Sequence, residues 1–160
     1  MEKGELLLTA FENTSSELLL RNASEYKTII LPNDKLKDSE IVIDYISKNK
    51  YDYVFCFGQK PVLKNKITIE IVGKEDDIYI YTTFEYDELK LLFQGNGIIT
   101  NLSYNAGTSF CNKLYYNSMK YVIENRLKTK VIFIHIPTNK NIIDAEVFPK
   151  IIDLIAKYRT

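Results

Sequence analysis

The 160-residue chain has one histidine, two cysteines and three arginines. Two cysteines cannot build the disulfide framework of a small secreted domain. With a single histidine they cannot supply a protein-only zinc site of the usual kind. Any cysteine–histidine chemistry within one chain must therefore use His135 with either Cys56 or Cys111. No charge of one sign predominates, since 21 basic residues balance 21 acidic ones. The total carries no electrostatic footprint for DNA, RNA or an anionic membrane, so neither nucleic acid nor membrane is expected as a partner. Arginine, the side chain suited to bidentate grip on phosphate, is rare against eighteen lysines, which argues against phosphate-rich ligands. No apolar stretch approaches the length of a membrane span. The run Leu6-Leu7-Leu8, behind Met1-Glu2-Lys3-Gly4-Glu5, is too short for a signal-peptide core, which points to a cytoplasmic protein with reduced thiols. The four prolines are scattered and mark turns, and no repeat or linker is visible. This length suits one domain spanning residues 1–160. Nothing in the sequence asks for a metal or an organic cofactor.

What is present is an alternation of strand-like and helix-like segments. Residues 6–11, 27–31, 53–57, 67–72, 78–82 and 131–136 read as strands, with the charged stretch 74–77 as a hairpin connection. Residues 38–48, 85–94, 112–127 and 145–158 read as helices. A shorter helix is capped by Ser15-Ser16 and runs through residue 22. Pro149 is tolerable only in the first turn of the last helix. The apolar strands 6–11, 53–57 and 131–136 read as buried on both sides. This pattern predicts an α/β fold: a three-layer α/β/α sandwich on a mixed, mainly parallel sheet. Sites in such sheets form at strand carboxyl ends, here 9–12, 57–59 and 134–137.

Cys111 stands where small polar residues give way to a helix. Unpaired amides and the positive helix end there favour a thiolate and can hold an oxyanion. Cys56, inside Val54-Phe55-Cys56-Phe57, reads as core. His135 ends an apolar strand at the edge where Cys111 arrives, a position for a general base. Glu70 interrupts the apolar run Ile67-Thr68-Ile69-Glu70-Ile71-Val72, and a third group is needed to orient the imidazole. The same three residues also fit a small buried thiol, a core histidine satisfied by backbone and an outward-facing strand carboxylate.

Three pieces occur in a familiar order: Ile67-Thr68-Ile69-Glu70, then Asn105-Ala106-Gly107-Thr108 through Cys111-Asn112, then Phe133-Ile134-His135-Ile136-Pro137. With Leu7-Leu8-Thr9-Ala10-Phe11-Glu12 and Phe55-Cys56-Phe57-Gly58-Gln59 before them, the chain resembles the pyroglutamyl peptidase I (pyrrolidone-carboxylate peptidase) family over nearly its whole length. The resemblance implies a cysteine peptidase that removes an N-terminal pyroglutamyl residue from peptides. It also implies a single α/β/α sandwich and assembly as homo-dimers or homo-tetramers. By it, Cys111 is similar to the nucleophile, His135 to its base and Glu70 to the orienting carboxylate. Phe11 and Gln59 would face the pyrrolidone ring, and Ser109 and Phe110 stand in the substrate-facing positions before the nucleophile. The chain departs from the family in four places, the first being Ser109 and Phe110, which stand before the nucleophile where apolar or aromatic residues are usual. Asn13-Thr14-Ser15-Ser16 replaces a Pro-Phe-Gly-Gly turn, so Thr14 stands where a second aromatic is usual. No arginine follows Glu70 in the stretch 71–79. The chain is also shorter between Glu70 and Cys111. Two other readings follow from these departures: a cysteine hydrolase of the same architecture acting on a different amide, and a non-catalytic binding protein that kept the scaffold.

Overall fold

A computed structural model describes residues 5–142 and 144–159; the leader reading of residues 1–4 lies outside them. The unbroken apolar run near the start becomes β1 (Leu6–Phe11), buried along its whole length. The remaining strands are β2 (Lys27–Leu31), β3 (Tyr53–Gln59), β4 (Ile67–Glu70), β5 (Val72–Glu75), β6 (Ile78–Tyr81), β7 (Thr100–Ser103) and β8 (Lys130–Ile136). The main sheet has the order β2-β1-β3-β8-β4-β7, and β5 and β6 form a separate antiparallel hairpin. From β2 to β8 the pairing is parallel; β4 runs antiparallel to β8 and parallel to β7. The expected mixed, mainly parallel sheet is borne out.

Alternation of side chains along each strand fills two cores. On one face Leu6, Leu8, Phe55, Phe57, Ile132 and Ile134 pack under α1 (Ser15–Leu20), α3 (Tyr86–Gln94) and α5 (Val147–Ile155). On the other, Leu7, Val54, Cys56, Val131 and Phe133 pack under α2 (Lys37–Lys48) and α4 (Phe110–Glu124). Pro149 is the third residue of α5, inside the first turn as anticipated.

The structure differs from the sequence reading at several elements, each with a local cause. The run 67–72 is two strands, because at Ile71 the chain leaves the main sheet and β5 begins the hairpin. Residues 100–103 form a sheet-edge strand that their polar character hides. Helix α1 is capped by Thr14, whose hydroxyl accepts from the Ser16 amide, and it ends at Leu20. Helix α2 has its first amides taken by the Asp34 carboxylate, which accepts from Leu36 and Lys37 at 3.0 and 2.9 Å; Asp38 and Ser39 lie inside the helix. Among the described residues, no helix is long and apolar enough to cross a membrane.

Candidate active site

Helix α4 starts two residues earlier than its periodicity suggests. Cys111 therefore lies within the first turn rather than ahead of it, with Ser109 as the N-cap. Backbone amides of a first turn have no partner inside the helix. Asn112 fixes this helix end: its side chain accepts from the Lys74 amide at 2.9 Å and donates to the Lys74 carbonyl at 2.7 Å. The start of α4 is thus bolted to β5.

Strand register brings the other groups to the same face. In the β3–β8 pair, Gly58 stands opposite His135; in the antiparallel β8–β4 pair, Thr68 stands opposite His135 and Glu70 opposite Phe133. Glu70 then meets His135 diagonally, with Oε1 2.9 Å from Nδ1. The carboxylate is fully buried and the histidine nearly so. The outward-facing alternative for Glu70 is therefore overturned. Gly58 leaves the space that the thiol uses: a β-carbon placed there would lie 2.7 Å from Cys111 Sγ and 3.0 Å from Phe133 Cζ. Cys111 thus overhangs the strand position next to His135.

Burial pushes the Cys111 thiol up to about 12. A Ser109 side-chain hydrogen bond acts in the opposite direction, and the neighbouring Cys56 and Glu70 add to the rise. Burial works against the ready thiolate expected at the helix start, because taking the thiol out of water favours the SH form. Cys56 has no exposure at all and is pushed up to about 12 by burial, as a core thiol should be.

Around the thiol stand three phenylalanines. The Phe11 ring centroid is 6.5 Å from those of Phe110 and Phe133. Phe11 is buried and Phe110 is 37% exposed at the mouth. Gln59 is half-buried and its Oε1 accepts from the Ser15 amide at 3.0 Å, which orients the amide group and leaves its NH₂ end as a donor. Ser15 Oγ donates to the Pro137 carbonyl at 2.7 Å, tying the chain after β1 to the end of β8. Thr14, in the place of the usual second aromatic, donates to the Phe11 carbonyl at 2.7 Å and is spent on the cap.

All seven residues singled out from the sequence lie at this end of the sheet. Three contributors were not. Phe133 underlies the thiol and stacks 4.8 Å from the His135 ring; in an apolar strand it is indistinguishable from core. Tyr115 donates to the Glu70 carbonyl at 2.8 Å, one helical turn after Cys111, a spacing that could have indicated it. Lys60 places Nζ 3.6 Å from Glu70 Oε1, and no sequence signal points to that contact. Among the described residues no three His, Cys, Asp or Glu side chains converge as metal ligands would.

Comparison with known proteins bears out the resemblance read from the sequence. The family model described as "Pyroglutamyl peptidase" matches residues 76–151, which include Cys111 and His135. The chain is 28% identical over 158 residues to the pyrrolidone-carboxylate peptidase of Bacillus cereus (strain 03BB102), covering 84% of this chain and 73% of that one. The fold is that of pyrrolidone carboxyl peptidase from Fervidobacterium islandicum AW-1, at a TM-score of 0.86, 22% identity and 97% of both chains. It is also that of pyroglutamyl peptidase I from Bacillus amyloliquefaciens, at a TM-score of 0.81, 23% identity, 99% of this chain and 95% of that one.

Proposed function

We propose that this chain is a cysteine peptidase that removes the pyroglutamyl group from the N-terminus of peptides. In this reading Cys111 is the nucleophile, His135 the general base and acid, and Glu70 the carboxylate that orients the imidazole. The observation that carries it is the buried Glu70–His135 contact of 2.9 Å beside a cysteine seated over Gly58 in the first turn of α4. The family likeness of residues 76–151 and of the B. cereus peptidase supports the same chemistry.

The steps follow from the geometry. Burial keeps Cys111 protonated at rest, so His135 takes the thiol proton as sulfur attacks the pyroglutamyl carbonyl. Glu70 accepts Nδ1–H, fixes the tautomer that leaves Nε2 as base, and stabilises the imidazolium that forms. First-turn amides of α4 face the developing oxyanion. His135 then protonates the leaving amine, and water releases pyroglutamate from the thioester. The pyrrolidone ring lies among Phe11, Phe110 and Phe133, with Gln59 donating to its polar edge and Ser109 at the rim. The main sheet draws strands from both ends of the described residues, β1 at 6–11 and β8 at 130–136, which supports a single domain over 1–160. A cytoplasmic location fits two reduced, buried thiols. The exposed Ile78, Tyr79 and Tyr81 of the hairpin support assembly as a homo-dimer or homo-tetramer, read out by light scattering.

A fluorogenic pyroglutamyl amide tests the reading. Thiol-dependent turnover is expected in the wild type, with a loss on the order of 10³-fold or more in Cys111→Ser. Turnover no higher in wild type than in Cys111→Ser overturns it. The aromatic missing at Thr14, and its engagement in the α1 cap, favour a second reading: the same machinery acting on a different N-terminal amide. Alkylation of Cys111 by iodoacetamide without pyroglutamyl turnover would select that one.

A further inference from the structure

The Glu70 carboxylate is an unusual acceptor. It has no exposed surface, its Oε1 serves both His135 Nδ1 at 2.9 Å and Lys60 Nζ at 3.6 Å, and its Oε2 has no hydrogen-bond partner among the described residues. A carboxylate with one oxygen unsatisfied loses its hydration without full replacement, and a neutral imidazole offers it a single N–H. A nearby cation is what keeps such a group charged. Lys60 is placed for this by backbone rather than by chance of a long side chain. It directly follows β3, its amide donates to the Ile136 carbonyl at 2.9 Å, and its carbonyl accepts from the Leu63 amide at 3.1 Å. Its side chain is a third exposed, so the ammonium keeps water while facing the buried oxygen.

We infer that Lys60 is a positioning residue whose ammonium holds the Glu70 carboxylate aimed at His135. The inference rests on the catalytic roles proposed above. The titratable groups that face this carboxylate are Lys60 beyond β3, His135 on β8, and Cys111 and Tyr115 on α4; Cys56 on β3 neighbours the last two. Lys60 is the permanent cation of that set. Removing it raises the proton affinity of the set as a whole, whichever member takes the proton first. The sign of the effect is therefore fixed: the acid limb of activity moves to higher pH.

Because His135 is the chain's one histidine, its NMR titration is free of overlap, and it needs no substrate. In untagged Lys60→Met and Lys60→Gln, the acid limb of kcat/KM and the pH profile of Cys111 alkylation are expected to move to higher pH, and the His135 titration to move away from its wild-type position. The expected shift is about one pH unit, and Lys60→Arg should restore the wild-type profiles. Thermal melting of each variant checks that it is folded. A lysine needed only for structure would alter the melt and leave the profiles in place. Profiles in both neutral variants within about 0.2 unit of wild type overturn the inference, and so does failure of both to fold. A wild type without pyroglutamyl turnover sinks the substrate reading instead, and the histidine and alkylation titrations still decide the role of Lys60.

Discussion

Gly58 sets the position of the thiol by what it omits. A β-carbon there would meet Cys111 Sγ at 2.7 Å and the Phe133 ring at 3.0 Å, closer than non-bonded atoms allow. Gly58→Ala should therefore move the Cys111 thiol while leaving the sheet paired. A fall in kcat of about 10²-fold, with a near-native far-ultraviolet spectrum, is the expected outcome in the amide assay. Glu70→Gln keeps the volume but offers a neutral group to His135, and its kcat/KM should fall on the order of 10²-fold or more. Residue identities at this site were legible because a lone histidine and a single helix-start cysteine leave few combinations. Glu70 was legible as the polar interruption of an apolar strand. Phe133 and Lys60 were not: the first looks like any core phenylalanine, and the second acts across a strand boundary that linear spacing does not reveal.

Helix α4 carries Cys111, and the side chains of Asn112 and Lys113 tie its start to β5. Asn112 bridges both polar groups of the Lys74 peptide, joining the helix to a hairpin outside the main sheet. Asn112→Ala strands a partly buried amide and carbonyl and should cost about 1–3 kcal/mol in denaturant unfolding. Because the loss falls next to Cys111, activity should drop before the fold does as denaturant rises. Apolar runs such as β1 and β8 were readable to within a residue, since burial on both faces leaves a continuous signal. Strand β7, four residues of Thr-Asn-Leu-Ser at the sheet edge, has no such signal. The division between β4 and β5 was hidden as well, because β-branched residues continue through the point where the chain changes sheets.

At the scale of the molecule, the alternation of segments specified an α/β sandwich, but not that β4 runs against its neighbour. That reversal lets Glu70, the last residue of β4, reach His135 across the pair, and it depends on long-range pairing that local pattern does not encode. The two buried thiols have a global consequence for stability. An unfolded chain titrates them near 9.0, whereas burial pushes each up to about 12. Their contribution to stability is complete below about pH 9 and is lost as pH rises toward 12, where the unfolded state sheds protons the folded state keeps. Cys56→Ala should flatten the alkaline fall in unfolding free energy by up to a few kcal/mol, on the order expected for a three-unit shift. Denaturant titrations of both proteins at pH 8 to 10.5 would show the slopes converging if Cys56 contributes nothing.

The position of β8 in the sheet also determines when the molecule can work. It is the last strand made and yet it lies between β3 and β4. Until residues 130–136 have left the ribosome, the half formed by β2, β1 and β3 shares no edge with the half formed by β4 and β7. A nascent chain therefore lacks both His135 and the strand that joins its two half-sheets, so under the roles proposed above a chain ending at residue 129 should show no turnover of a pyroglutamyl amide.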